Sequence, residues 1–224
     1  SSANLVNLTK TGTGTLTFSG ANTYDGTMLV SQGTLLINGD QSAATGAVTV
    51  TGDAALGGLG VTGGTVTVTD GTLSPGASIE SLGVAGVTLG GATSEFEYEL
   101  NTTAITGDLL FSAGDLNLTD SPGLSLVDLG GNVKLDNDTK FTLISYDGAW
   151  NNGTFSGYAD DSTFAFAGNK WLINYDDTIG GGNFSAEQAG AAAFLTLTVI
   201  PEPASFALFA LSALAALRRR DRRA

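Results

Sequence analysis

Carboxylates are the reactive groups this chain has in quantity. Its 224 residues include 22 Asp and Glu against nine Lys and Arg, with no histidine and no cysteine. That absence excludes disulfides and thiolate metal sites, and it removes the usual nucleophile–base pairs. Two kinds of carboxylate chemistry remain: paired acids that cleave a glycoside, and oxygen ligands for calcium. The densest cluster is Glu95-Phe96-Glu97-Tyr98-Glu99-Leu100. On a strand it puts three carboxylates on one face and three apolar groups on the other. Like charges two residues apart are tolerated only in water, so a solvated strand face is the favoured reading. No stretch singles out two acids from the many in the body. A carboxylate-dependent polysaccharide-degrading enzyme is therefore the least favoured function, and the chain is expected not to be an enzyme.

Calcium could draw on Asp136-Asn137-Asp138, Asp160-Asp161 and Asp176-Asp177. None of these begins an Asp-x-Asn-x-Asp-Gly loop, and Gly180-Gly181-Gly182-Asn183 misses the Gly-Gly-x-Gly-x-Asp repeat of calcium-binding β-helices. They read as solvated turns. No cofactor is expected beyond diffuse attraction of Ca2+. Threonines recur as Thr-x-Thr at Thr13/Thr15/Thr17, Thr49/Thr51 and Thr65/Thr67/Thr69. A flat threonine ladder on a β-helix is the pattern of ice-binding surfaces. Threonine also simply suits an exposed strand face, and these copies are unevenly spaced along the chain.

Charge is split between body and tail. Residues 1–200 hold four lysines (Lys10, Lys134, Lys140, Lys170) among all but two of the acids, a net of −16. The tail, 201–224, holds all five arginines against Glu202 and Asp221, a net of +3. An acidic body repels nucleic acid, which is set aside as a partner.

The elements that must position these groups are short strands. Around Thr15-Leu16-Thr17-Phe18-Ser19 polar and apolar residues alternate, the period of a half-buried strand. Similar units recur at Met28–Val30, Gly33–Ile37, Ala47–Thr51, Gly64–Thr69, Gly71–Ser74 and Ser81–Ala85, punctuated by Gly, Asn and Asp. Glycine, at 32 residues, is roughly twice its usual share. Stacked repeats bury a continuous apolar stripe that no single unit could bury alone. A parallel β-helix and an antiparallel sandwich both fit; irregular linkers between short strands favour the β-helix. From Phe141 the chain is rich in aromatics (Trp150, Phe155, Tyr158, Phe164, Phe166, Trp171, Tyr175). Such bulk suits a cap on the last coil, and exposed rings would alternatively stack on sugars.

The run Lys10–Tyr24, with Gly26-Thr27 and Gly33-Thr34-Leu35, resembles the autotransporter-associated β-strand repeat. Gly71–Gly76 and Gly83–Leu100 are similar to the stretch that follows its last copy. The resemblance implies a right-handed parallel β-helix in the passenger of a surface protein. Beyond about Leu118 only the strand pattern supports the reading. The last residues stand where that resemblance would place a C-terminal outer-membrane barrel, so self-translocation is not expected.

The last residues have three parts in a fixed order. Pro201-Glu202-Pro203 comes first, then the uncharged run Ala204–Leu217 with Ala204, Phe206, Leu208, Phe209, Leu211, Leu214 and Leu217. The chain then reads Arg218, Arg219, Arg220, Asp221, Arg222, Arg223. As a helix the run would be ~21 Å long against a hydrocarbon core of ~30 Å. The arginines would hold its end in the cytoplasm. This tail resembles a PEP-CTERM sorting signal. The resemblance implies a processing site at Pro201, Glu202 and Pro203, a membrane-retained helix, and an arginine stop. The implied partner is exosortase, a membrane transpeptidase that passes its substrate on to the cell surface or matrix. An ordinary single C-terminal membrane anchor is the other reading.

The expected organisation is a solenoid over 1–118, an aromatic-rich β region or cap over 119–199, and the sorting signal over 200–224. The chain opens inside a repeat-like pattern and reads as a fragment of an exported protein whose signal peptide lies upstream. The expected function is a structural or adhesive surface protein of the envelope, biofilm or matrix, with surface polysaccharide a possible partner. The alternative is an ice-binding or carbohydrate-binding β-helix with the same tail.

Overall fold

The computed structural model describes residues 6–183 and 191–202. The expected helix Ala204–Leu217, Pro203 and the arginines 218–223 lie outside the described residues. Within them the protein is all-β, and its strands fall into three sheets. The first is β1 (Leu8–Lys10), β3 (Met28–Val30), β6 (Val48–Val50), β9 (Val66–Val68), β12 (Val87–Leu89) and β16 (Leu116–Leu118). The second runs β2 (Thr15–Phe18), β4 (Thr34–Ile37), β7 (Ala54–Gly58), β10 (Gly71–Pro75) and β13 (Glu95–Asn101), with β14 (Thr106–Gly107) and β17 (Gly123–Asp128) both on β13. The third runs β5 (Asp40–Gln41), β8 (Val61–Thr62), β11 (Ser81–Val84), β15 (Leu109–Ser112) and β18 (Lys140–Tyr146). It continues through β21 (Ala193–Val199) and β20 (Asn169–Asp177) to β19 (Thr163–Phe166).

From β3 to β18 the strands, the short antiparallel β14 apart, visit the three sheets in turn and pair in parallel with neighbouring coils, which is the winding of a β-solenoid. In the first sheet the register runs Leu8, Met28, Val48, Val66, Val87, Leu116. Those partners are 20, 20, 18, 21 and 29 residues apart, so coil length varies while the pairing does not. The additional residues are accommodated in the corners.

Alternation does the rest. In β6 and β9 the valines are buried and the central threonine faces out. In the second sheet Leu35, Leu56, Leu73 and Phe96 are in register and fully buried, one from each of four coils. Each such side chain stabilises the fold by about 1.5–3 kcal/mol through burial alone. None could be buried within its own coil.

The stack tightens at one corner, where Gly26, Gly46 and Gly64 lie over one another. A Cβ on Gly46 would stand 1.8 Å from the carbonyl oxygen of Gly26, and one on Gly64 1.9 Å from that of Gly46. The obstacle is backbone, so it cannot move aside without breaking the inter-coil pairing.

From β18 onward the chain departs from the coil pattern. β18, β21, β20 and β19 pair antiparallel. Trp171, Tyr175 and Phe141 on these strands, with Phe155 from the loop between β18 and β19, continue the core and are all buried. Phe155 stacks on Phe96 of the solenoid with ring centroids 6.0 Å apart, and Phe141 meets the edge of Trp171 at 5.7 Å. Asn183 closes the junction. It accepts the Thr142 N–H at 2.6 Å and donates to the Tyr98 hydroxyl at 3.1 Å, while Tyr98 donates to the Thr142 carbonyl at 3.0 Å.

The glycine corner sets a test by chemical denaturation. Gly64→Ala should lower stability by about 2–3 kcal/mol, because its methyl overlaps backbone. Gly14→Ala, whose methyl meets nothing within 4 Å, should stay within ~0.5 kcal/mol of the parent. Equal effects at the two sites would show that the close coil approach at Gly64 does not limit stability.

Candidate functional site

Among the described residues, three features apart from the apolar core could interact or react: the outward face of the first sheet, a buried carboxylate at a corner, and the residues that follow β21.

The first sheet exposes one residue per strand, and the register aligns them as Thr9, Leu29, Thr49, Thr67, Thr88 and Asn117. Thr11, Thr51, Thr65, Thr69 and Thr119 flank this column. Adjacent strands lie about 4.8 Å apart, so the hydroxyls repeat at that spacing. Thr49 and Thr67 are 18 residues apart and Thr67 and Thr88 are 21, yet each pair is directly opposed. The uneven sequence spacing that argued against a regular ladder is therefore absorbed at the corners. Leu29 and Asn117 interrupt the hydroxyl row near its ends. No charged residue stands in the central column, although the body is strongly acidic.

The acids singled out in the sequence are scattered. Glu95, Glu97 and Glu99 point outward from β13 while Phe96, Tyr98 and Leu100 are buried beneath. Glu97 accepts a hydrogen bond from the Ser74 hydroxyl at 3.1 Å. Asp160 accepts the Tyr175 N–H at 3.0 Å, and Asp161 accepts from the Asn174 amide at 2.9 Å. Asp177 is ion-paired with Lys140 at 2.6 Å and accepts from Thr196 at 2.9 Å. Burial opposes ionisation of Asp177, but hydrogen bonds from Lys140, Ile179 and Thr196 outweigh it and hold its carboxyl below the usual range. Among the described residues no three His, Cys, Asp or Glu side chains converge in a metal-holding group. In the aromatic region Trp150 and Tyr175 cover one another. Trp150 stacks on Tyr175 at 5.3 Å and donates its indole N–H to the Gly153 carbonyl at 2.7 Å.

Asp108, between β14 and β15, carried no motif signal in the sequence. It is completely buried. Its Oδ1 accepts the Glu80 N–H and its Oδ2 the Glu99 N–H, each at 3.0 Å. One carboxylate thereby joins the corner after β10 to the middle of β13. Burial raises its pKa to about 7; the two N–H bonds oppose the shift, and the charges of Glu99 and Glu80 add to it. Tyr98 beside it is pushed well above its ordinary value by burial and then by the Asp108 charge. A lone Asp beside Gly107 looks like any turn residue, so only its position in the coil reveals it.

The last described strand is β21. The Val199 N–H donates to the Thr139 carbonyl at 2.8 Å, and the Ile200 N–H to the Lys170 carbonyl at 2.9 Å. Pro201 and Glu202 follow at once and are exposed. Glu202 is ion-paired with Lys134. It also lines a shallow hollow of about 660 Å³ with Phe164, Phe166 and Lys170. The Lys134 hydrogen bond, its charge and then the Lys170 charge hold the Glu202 carboxyl below its ordinary value.

The sign of the Asp108 effect can be worked out. Its folded pKa of about 7 lies above the ordinary 3.8, so the folded form binds that proton more tightly. The stability this contributes is complete below pH ~4 and is lost as pH rises through about 7. The stability of the native protein minus that of Asp108→Asn should therefore fall by up to ~1.4 kcal/mol per pH unit across that window. Parallel denaturation profiles for the two proteins would contradict the assignment. Asp177 and Asp128, whose pKa values are lowered, act in the opposite sense and cancel in the difference.

Comparison with known proteins follows the same division of the chain. The family described as Passenger-associated-transport-repeat matches residues 8–37, which span β1 to β4. The family described as PEP-CTERM protein-sorting motif matches residues 199–223. A curated relative, the "Adhesin BmaC autotransporter" of Brucella suis biovar 1 (strain 1330), is 40% identical over 168 residues. The alignment covers 75% of this chain and 4% of that much longer protein. The chain thus carries a passenger-type transport repeat in its first described coils and a PEP-CTERM protein-sorting motif that begins at the end of β21.

Proposed function

We propose that this is a segment of an exported bacterial surface protein whose solenoid serves a structural or adhesive role and whose C-terminal motif directs its sorting. One observation carries the reading: the sorting motif starts at Val199, the last residue of β21, so signal and body meet without a spacer. The repeat match and the likeness to an autotransporter adhesin support a passenger role for the body. The scattered, individually hydrogen-bonded acids favour a non-enzymatic function. In this reading exosortase takes Pro201, Glu202 and Pro203 as its processing site. Ala204–Leu217 is retained in the membrane, and the arginines from Arg218 to Arg223 stop transfer. The released body then stands at the cell surface or in the matrix, where surface polysaccharide is a candidate ligand.

The test is intact mass with cell fractionation in hosts with and without exosortase. Loss of the residues after the Pro-Glu-Pro only where the enzyme is present, with the body released or surface-bound, is the expected result. An uncut protein in the inner membrane of both hosts would leave an ordinary tail anchor and remove the matrix role.

The aligned threonine column favours ice binding as a second reading. It calls for a measurable freezing hysteresis that Thr67→Leu diminishes by placing a bulky apolar group mid-column. Zero hysteresis in the native protein would dispose of it.

A further inference from the structure

Lys134 is one of only four lysines in the acidic body, and its backbone is fixed from both sides. Asn169, 3% exposed, donates to the Val133 carbonyl at 2.9 Å and accepts the Leu135 N–H at 2.8 Å. The Val133 N–H is held in turn by the Thr102 hydroxyl at 2.9 Å. The next residue, Lys170, accepts the Ile200 N–H at 2.9 Å. A single dipeptide, Asn169-Lys170, therefore positions both the loop that bears Lys134 and the strand end that leads into the sorting motif. The pairing of Lys134 with Glu202 follows from that shared anchor.

We infer that Lys134, set in place by Asn169, holds the central carboxylate of the sorting motif against the folded body, and that processing proceeds only from molecules in which this pair is open. The inference rests on the sorting reading. A processing enzyme that recognises the motif must take the Glu202 side chain out of its pairing with Lys134. The paired fraction is then withheld from the enzyme, and the observed rate is scaled by the open fraction. Because both side chains are about two-thirds exposed (64% and 63%), the pair restrains processing rather than blocking it. Asn169 and Lys134 act here as positioning residues.

The experiment is pulse-chase processing of the full chain in an exosortase-bearing host. It is repeated with the purified membrane enzyme at several salt concentrations. Lys134→Met and Lys134→Gln should each be processed ~two- to fivefold faster than the native protein. Lys134→Arg, which keeps the charge, should process at the native rate. Added salt should raise the native rate towards that of Lys134→Met and change Lys134→Met less, where only the weaker Lys170 charge remains near Glu202, since exposed pairs are screened. Unchanged thermal melting would show that the body is intact. Native-like or slower processing of both neutral variants would overturn the inference while leaving the sorting reading in place. A native protein that is never cleaved would overturn the sorting reading and the inference with it.

Discussion

Parallel backbone pairing between coils is the constraint from which the rest of this structure follows. It fixes the rise from one coil to the next at a single strand spacing. Whatever faces inward on one coil must then stack on its counterpart in the next, so valine meets valine and leucine meets leucine or phenylalanine. Where the chain turns, the same spacing brings backbone against backbone. That is why the Gly26, Gly46 and Gly64 corner admits no side chain. The outward faces inherit the order as well. Threonines that are irregularly placed in sequence become a straight column because register, not chain length, positions them.

How much of this was legible in the sequence depended on whether a feature was local. Strand alternation is local, so Val48-Thr49-Val50 and Val66-Thr67-Val68 declared their buried and exposed faces directly. The tail was legible for the same reason, its order of motif, apolar run and arginines being contiguous. Coil length was not, because a corner can absorb several residues without any signature. The objection to a threonine ladder rested on sequence spacing and does not survive the register. Least legible were side chains whose role depends on two distant segments. Asp108 joins Glu80 to Glu99, and Asn169 joins Val133 and Leu135 to the start of β20, next to the Lys170 carbonyl that holds Ile200. Neither lies in a recognisable motif.

The body's polar chemistry is conservative in a specific way. Most of its acids stand in water or accept hydrogen bonds that favour their charge. Among the described residues Asp108 stands apart, a carboxylate sealed inside with two backbone donors. Its proton then links the corner after β10 to the pH of the surroundings.

The position of β21 has a mechanical meaning. It is paired on one side with β18 and on the other with β20, antiparallel in both cases. Tension transmitted through the tail and directed along that strand would load both rows of hydrogen bonds in shear, all at once. A strand at a sheet edge pulled from its corner would instead open one bond at a time, like a zipper. A body held through β21 would therefore resist a pull along that strand with both rows together.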